Sequence, residues 1–395
     1  MISLFRQERV FIATPVLCVG GTEIQTLSLV RILVGAGYHV TLCCYYEFDQ
    51  SLVVQFKEAG SEVILLHLDR CNGRVRASRI LQLITKLISI ITKYHPDIVH
   101  VQYIAPGLIP IIAARLSGVK RVFATIHQPG RIYGLKAKVL IHIAAHLCDV
   151  FFCNSMSVEQ SWFGSSEIFD PNKVDSRRKH FTIYNGVDVD KIERIAKETH
   201  KEEIRESLNI RDKKVVGVVG RLRSEKGQAT LLASMKLVIK EIPNAVLLVV
   251  GDGPDRPYLE DMAKKIGIDS NVFWLGQKDP DDVFKFYSIM DVLAVPSLFE
   301  GFGLTAVEAM AAGVPVIGTG VDGLSEIIED GVTGHLVLPQ DRFMLARRLI
   351  ELLTNKAQAR KMGLASHQRA REMFSMELFA ESTLPAYHYF LRGSA

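Results

Sequence analysis

The chain has 395 residues, 48% of them hydrophobic and 23% charged, with a formal net charge of +4. That length suits two domains, and that composition excludes a natively disordered chain. The charge is lopsided: residues 1–184 hold 20 Lys and Arg against 13 Asp and Glu, a balance of +7, whereas the remainder holds 27 against 30, a balance of −3. An excess this modest, without interleaved aromatics, excludes a nucleic-acid partner.

All six cysteines (Cys18, Cys43, Cys44, Cys71, Cys148, Cys153) lie in the first half and none forms a C-x-x-C pair, so they read as small buried hydrophobes. The opening MISLFRQERVFIATP is not a signal peptide, because Arg6, Glu8 and Arg9 interrupt it before an apolar core develops. The apolar stretches Ile104–Ala114 and Val139–Cys153 are too short or too polar to cross a bilayer. The expected location is the cytoplasm, with peripheral contact at the inner face of the membrane.

In chain order, RVFIAT, HVTLCCYY, EVILLHL, DIVHVQY, RVFATIH, DVFFCNS and FTIY read as strands, followed by VVGVVG, AVLLVVG, NVFWLG, DVLAVP, PVIGTG and HLVLP. Helical patterns such as Glu23–Val34, Arg79–Tyr94, Gln228–Glu241, Pro254–Ile266 and Leu304–Ala312 lie between them. Continuous apolar strands joined by helical crossovers predict parallel sheets covered on both faces. The pattern runs twice, which predicts an α/β chain of two doubly wound, Rossmann-like domains. Their expected bounds are 1–184 and 185–375, with a C-terminal helix over 376–395 packing back on the first domain. The whole tail from Lys356 reads as helical. The polar segment Ser165–His180, ending in Arg177-Arg178-Lys179-His180, reads as a solvated loop.

Parallel sheets bind ligands outside the carboxyl ends of their strands, so the loops that follow strands should carry the chemistry. The strongest signal is Glu300-Gly-Phe-Gly-Leu-Thr-Ala-Val-Glu308, after DVLAVP. Gly301 and Gly303 permit a sharp turn and close backbone approach, and the first N–H groups of the helix from Leu304 form an anion site. Glu300 and Glu308 flank that site, where carboxylates accept hydroxyl hydrogens. The second signal is Gly220-Arg-Leu-Arg-Ser-Glu-Lys-Gly227, which puts the cations Arg221 and Lys226 on one loop. Two fixed cations on one such loop suit an anionic group, whose charge they would stabilise without metal. Arg223 reads as a surface residue.

Gly20 and Gly21 occupy the first strand–helix loop, and His127 ends the strand RVFATIH; His100, inside a strand, reads as a satisfied core residue. Asp188-x-Asp190 and Asp279-x-Asp281 could each hold a divalent ion but read as caps or turns.

The E-x7-E spacing within PSLFEGFGLTAVEAMAAGVPVIGT resembles the retaining glycosyltransferases of family 4, which have the GT-B fold of two facing Rossmann-like domains. GRLRSEKGQATLLAS, GDGPDRPYLE, VFWLGQ, YNGVDVDKI and GGTEIQTLSLVRIL resemble further segments of that family in the same order, so the likeness spans essentially the whole chain.

The resemblance implies an N-terminal acceptor domain and a C-terminal domain that binds a nucleotide-diphosphate sugar. It implies catalytic roles for Glu300, His127, Arg221 and Lys226. Donor contacts are implied for Gly20, Gly21, Gly251, Gln277, Phe302, Gly303, Leu304 and Glu308, with the base near Gln277 and the ribose on Glu308. It implies no cofactor and no metal. Where the family often has a second glycine before the Gly of a G-x-x-E segment, this chain has Asp322 in Val321-Asp322-Gly323-Leu324-Ser325-Glu326, so donor identity does not carry over.

No carboxylate nucleophile for a double displacement is evident; the resemblance implies a front-face route in which the leaving phosphate takes the acceptor's proton. A UDP-sugar is the favoured donor, with GDP-mannose as another candidate, and the acceptor is a lipid-linked, saccharide or small-molecule hydroxyl. Arg70, Arg74, Arg76, Arg79, Lys86 and Lys93 surround an apolar helical pattern, which reads either as a sheet-covering helix with a basic edge or as contact with anionic lipid near Arg79–Lys93. A nucleotide-sugar epimerase of the same fold and a catalytically silent nucleotide-sugar binder are the rival readings.

Overall fold

The computed structural model describes residues 7–69, 77–102, 107–175 and 177–392; Cys71 and the cations Arg70, Arg74 and Arg76 lie outside the described residues. Two compact units emerge, Val187–Leu378 and a discontinuous one made of Met1–Gly186 with Phe379–Ala395.

The first unit alternates β1 (Arg9–Thr14), α1 (Gly21–Gly35), β2 (His39–Cys44), α2 (Gln50–Glu58), β3 (Glu62–Leu65), α3 (Ala77–Tyr94), β4 (Ile98–Gln102), α4 (Leu108–Leu116), β5 (Arg121–Ile126), α5 (Leu135–Leu147), β6 (Val150–Cys153), α6 (Met156–Phe163) and β7 (His180–Thr182). Its strands are parallel in the order β3-β2-β1-β4-β5-β6-β7.

The second unit runs α7 (Val189–Glu198), α8 (Lys201–Ser207), β8 (Lys214–Val219), α9 (Gln228–Glu241), β9 (Ala245–Val250), α10 (Arg256–Ile266), β10 (Val272–Gly276), α11 (Pro280–Tyr287), β11 (Val292–Val295), α12 (Leu304–Ala311), β12 (Val316–Thr319), α13 (Leu324–Ile327), β13 (Gly334–Val337), α14 (Arg342–Thr354) and α15 (Lys356–Phe374). Its parallel sheet has the order β10-β9-β8-β11-β12-β13. A last helix, α16 (Met376–Arg392), closes the chain.

Strand residues are buried on both sides of each sheet, which explains why the strands are apolar throughout rather than alternating. In β5, Val122, Ala124 and Ile126 pack with Leu83, Leu87, Ile111 and Ile141 of α3, α4 and α5. Phe123, pointing to the other face, meets Tyr387 and Phe390 of α16 edge-on. Tyr387 is buried and its hydroxyl also meets His100 Nδ1. The second core joins Val216 and Val218 of β8 to Leu231, Met235, Leu345 and Leu349 of α9 and α14.

Ser165–His180 is the largely exposed loop its composition suggests, with Phe169 alone buried among its described residues, and it is anchored at its ends. The segment is pinned by the buried carboxylate of Glu159, which accepts from Arg178 at 2.7 Å, meets His180 Nδ1 at 2.6 Å and accepts from the Glu167 amide at 3.1 Å. A buried carboxylate is tolerated only when its oxygens are filled, and these are. No helix among the described residues is long and apolar enough to cross a membrane, and the five described cysteines are free.

Candidate functional site

In each sheet the strand order reverses at one point, between β1 and β4 in the first unit and between β8 and β11 in the second. Loops leaving the carboxyl ends of such neighbouring strands diverge to opposite faces and open a crevice for ligand. In the second unit those loops carry Arg221 and Lys226 after β8, and Glu300 after β11.

The two loops interlock. Leu298 N donates to Glu225 O at 2.8 Å, and Lys226 Nζ donates to Glu300 Oε2 at 2.7 Å. Gly227 sits at φ +70°, and a Cβ there would lie 1.9 Å from Pro296 O, so only glycine fits. Gln228, the first residue of α9, donates to Arg221 O at 3.0 Å and so fixes the bend of the cationic loop. Arg221 itself is exposed, and Arg223 lies outward, paired with Glu225 at 3.2 Å.

Glu300 is held from several directions. Ser297 Oγ donates to Oε2 at 3.2 Å, Asp322 Oδ2 accepts from the Glu300 amide at 3.3 Å, and Gly323 N donates to Glu300 O at 3.1 Å. Asp322, which stands where the family often has glycine, adopts φ +39°, a conformation that glycine takes more readily. Gly303, at φ +113°, opens α12 and accepts from the Ala306 and Val307 amides, which leaves those of Leu304 and Thr305 ahead of the helix's own bonds. The Phe302 ring turns inward onto Phe374, 5.6 Å between centroids, and its buried backbone packs against Gly323.

Glu308, in the second turn of α12, accepts from the buried Tyr287 hydroxyl at 2.8 Å. Burial pushes the Glu308 carboxyl up to about 7, and the Tyr287 hydrogen bond opposes that rise. Gly251 and Gly276 join through a 2.8 Å backbone bond, and Gln277 beside them is exposed.

In the first unit Gly20 caps α1, Gly21 begins it, and a Cβ at Gly20 would meet Glu23 Oε2 at 2.7 Å. His127 is buried, with Nε2 2.8 Å from Gln102 Oε1, and Asn154 donates to its carbonyl at 3.3 Å. Burial lowers the His127 pKa to about 4, so the ring is neutral near pH 7 and serves as a hydrogen-bonding group. His100 meets Thr125 Oγ1 at 2.6 Å and lies 3.5 Å from Gln102, as a satisfied core residue should.

Asp188 caps α7, Asp190 pairs with Arg371, and Asp281 pairs with Lys191. No group of three or more metal-ligating side chains occurs among the described residues. Gln102, Asn154, Tyr287, Ser297 and Gln228 were not singled out by the sequence reading; only the strand alternation placing Gln102 on the same face as His100 hinted at one of them.

Two family models match. "Glycosyltransferase Family 4" covers residues 19–191 and "Glycosyl transferases group 1" covers 200–369. Among relatives, an uncharacterized glycosyltransferase of Methanocaldococcus jannaschii is 31% identical over 276 residues, 69% of each chain. The N-acetyl-alpha-D-glucosaminyl L-malate synthase of Bacillus anthracis is 28% identical over 318 residues, 79% of this chain and 80% of that one. Among solved structures, Anabaena HepE in complex with UDP and glucose aligns with a TM-score of 0.78 at 18% identity, over 95% of this chain and 98% of that one. Sucrose-phosphate synthase from Thermosynechococcus elongatus aligns with a TM-score of 0.78 at 22% identity, over 98% and 100%.

Proposed function

The chain belongs to the family 4, group 1 glycosyltransferases with the GT-B fold, and from that premise we propose that it moves a hexose from a UDP-sugar to an acceptor hydroxyl, with retention and without metal. The observation that carries this reading is the Lys226–Glu300 pair, 2.7 Å long, on interlocked loops at the strand-order reversal.

Arg221 and Lys226, with the α12 amides from Leu304, neutralise the diphosphate as the bond from the anomeric carbon to phosphate oxygen breaks. Glu300 accepts from sugar hydroxyls and, as a fixed carboxylate beside Lys226, keeps that cation aimed at the leaving group. Glu308 accepts the ribose hydroxyls, the backbone near Gln277 receives the base, and Gly251 permits close approach. Gly20 and Gly21 offer amides to phosphate. His127, neutral, hydrogen-bonds the donor sugar or the acceptor hydroxyl. The acceptor oxygen attacks from the face the phosphate leaves, and its proton passes to the departing phosphate oxygen, so the enzyme needs no base of its own.

UDP is favoured over GDP because the Anabaena neighbour binds UDP and glucose. The acceptor is a lipid-linked, saccharide or small-molecule hydroxyl, and the basic first unit would hold the chain at an anionic membrane surface facing the cytoplasm. Thermal-shift measurements against UDP, GDP and ADP, then NMR of the product's anomeric configuration with EDTA present, test the proposal. A shift with UDP and a retained configuration are expected. An inverted product, or activity lost with EDTA and restored by a divalent ion, would overturn it.

A further inference from the structure

A helix that covers a sheet normally turns polar residues outward; α5 exposes Lys136, Lys138, His142 and His146 but adds an apolar stripe among them. Leu135, Val139 and Ile143, spaced by four residues, are 77%, 52% and 46% exposed, with Leu140 beside them at 44%. Ile141 and Ala144, on the opposite side of the same helix, are the residues that pack on the sheet. Lys136 and Lys138 flank the stripe, both exposed, and neither forms an ion pair among the described residues.

The surrounding charge is mostly basic. Not one residue of α3, α4 or α5 is acidic, and from Arg70 to Asp149 the sequence holds twelve Lys and Arg against two acids, Asp97, which pairs with Lys120, and Asp149, which pairs with Arg115 and Arg121. Leu81 of α3 and Leu116 of α4 are also exposed. By contrast α3 buries its apolar side, Leu83, Leu87 and Ile91, and Lys86 Nζ reaches the Leu66 carbonyl at 3.4 Å. The basic helix singled out in the sequence is therefore a sheet-covering element, and the exposed stripe lies on α5.

We propose that α5 docks this chain on an anionic membrane surface, with Leu135, Val139, Leu140 and Ile143 entering the headgroup boundary and Lys136 and Lys138 pairing with lipid phosphates. An apolar stripe with cationic flanks and no acids suits lipid, whereas cores of protein interfaces are depleted in lysine. The inference rests on the membrane clause of the proposed function and places the contact on α5 rather than on the Arg79–Lys93 pattern singled out in the sequence. It does not depend on the donor. Because α5 follows the loop after His127, docking would present that strand end to acceptors held in lipid.

Flotation of the full chain with vesicles of phosphatidylcholine containing phosphatidylglycerol, against phosphatidylcholine alone, tests it. The wild type is expected to float with the anionic vesicles at low salt and to release as salt rises. Lys136→Gln with Lys138→Gln should lower partitioning about thirtyfold, from roughly one cation's worth of attraction per lysine. Val139→Ser with Ile143→Ser should abolish it, while Leu364→Ser, an exposed change on α15, should not alter it.

All these side chains are exposed, and circular dichroism verifies that each variant folds. Wild type left unbound at low salt, or α5 variants binding like wild type, would overturn the proposal. So would a dimer in sedimentation velocity that Val139→Ser with Ile143→Ser dissociates while vesicles bind nothing. UDP binding by the same preparations reads the transfer proposal separately: vesicle binding without any nucleotide binding would sink that reading and leave this one standing.

Discussion

Tyr287→Phe removes one hydroxyl, the donor of the 2.8 Å bond to Glu308 Oε2, and leaves the buried ring in place. A hydrogen bond to a charged group contributes about 1.5–3 kcal/mol net, or about one to two pH units of carboxyl titration. Glu308 keeps some solvent contact, so the lower end applies, about one unit. In the wild type burial raises the Glu308 carboxyl from 4.5 to about 7. The folded chain therefore binds its proton more readily than the unfolded one. Ionising it destabilises the fold, by nothing below about 4.5 and in full above about 7.

If ribose hydroxyls donate to the ionised carboxylate, UDP affinity rises with pH through about 7 in the wild type. The midpoint then moves about one unit higher in Tyr287→Phe. At pH 7 the ionised fraction falls from about a half to about a tenth, so affinity weakens about fivefold, and the two proteins converge near pH 9. Isothermal titration with UDP from pH 5.5 to 9.5 measures this. An unchanged midpoint, or equal weakening at every pH, would refute the reasoning.

Glu300→Ala and Lys226→Ala should each lower turnover at least tenfold, about 1.4 kcal/mol, and wild-type turnover in either would refute their assignment. Because burial holds His127 near 4, kcat/KM should show no limb from it between pH 5 and 8, and His127→Asn should keep more activity than His127→Ala; a limb near pH 6.5 that vanishes in His127→Asn would contradict this. Gly227→Ala, driven into Pro296 O, should cost at least about 2 kcal/mol and lower Tm by at least about 5 °C, read by calorimetry.

Each strand was legible because burial on both faces makes parallel strands uniformly apolar; RVFIAT became β1 with matching bounds. The apolar stretches over 104–114 and 139–153 hid α4 and α5, since a short apolar run has no period that separates a buried helix from other structure. Glu300, Arg221 and Lys226 could be found because each lies at a short fixed offset from a strand's end. Tyr287 could not, because its bond to Glu308 spans two helices and 21 positions, and nothing local encodes it. The polar composition of Ser165–His180 does give an exposed loop, but it says nothing of the single carboxylate, Glu159, that ties it down.

The return of residues from Phe379 onward to the first unit has a consequence for biosynthesis. While the ribosome still holds that stretch, Phe123, Phe152 and His100 lack the Tyr387 ring that covers them. The unit translated first thus cannot finish, whereas Val187–Leu378, contiguous in the message, can close on its own. A nascent chain stalled before Tyr387 would leave Phe123 and His100 without the ring that packs on them.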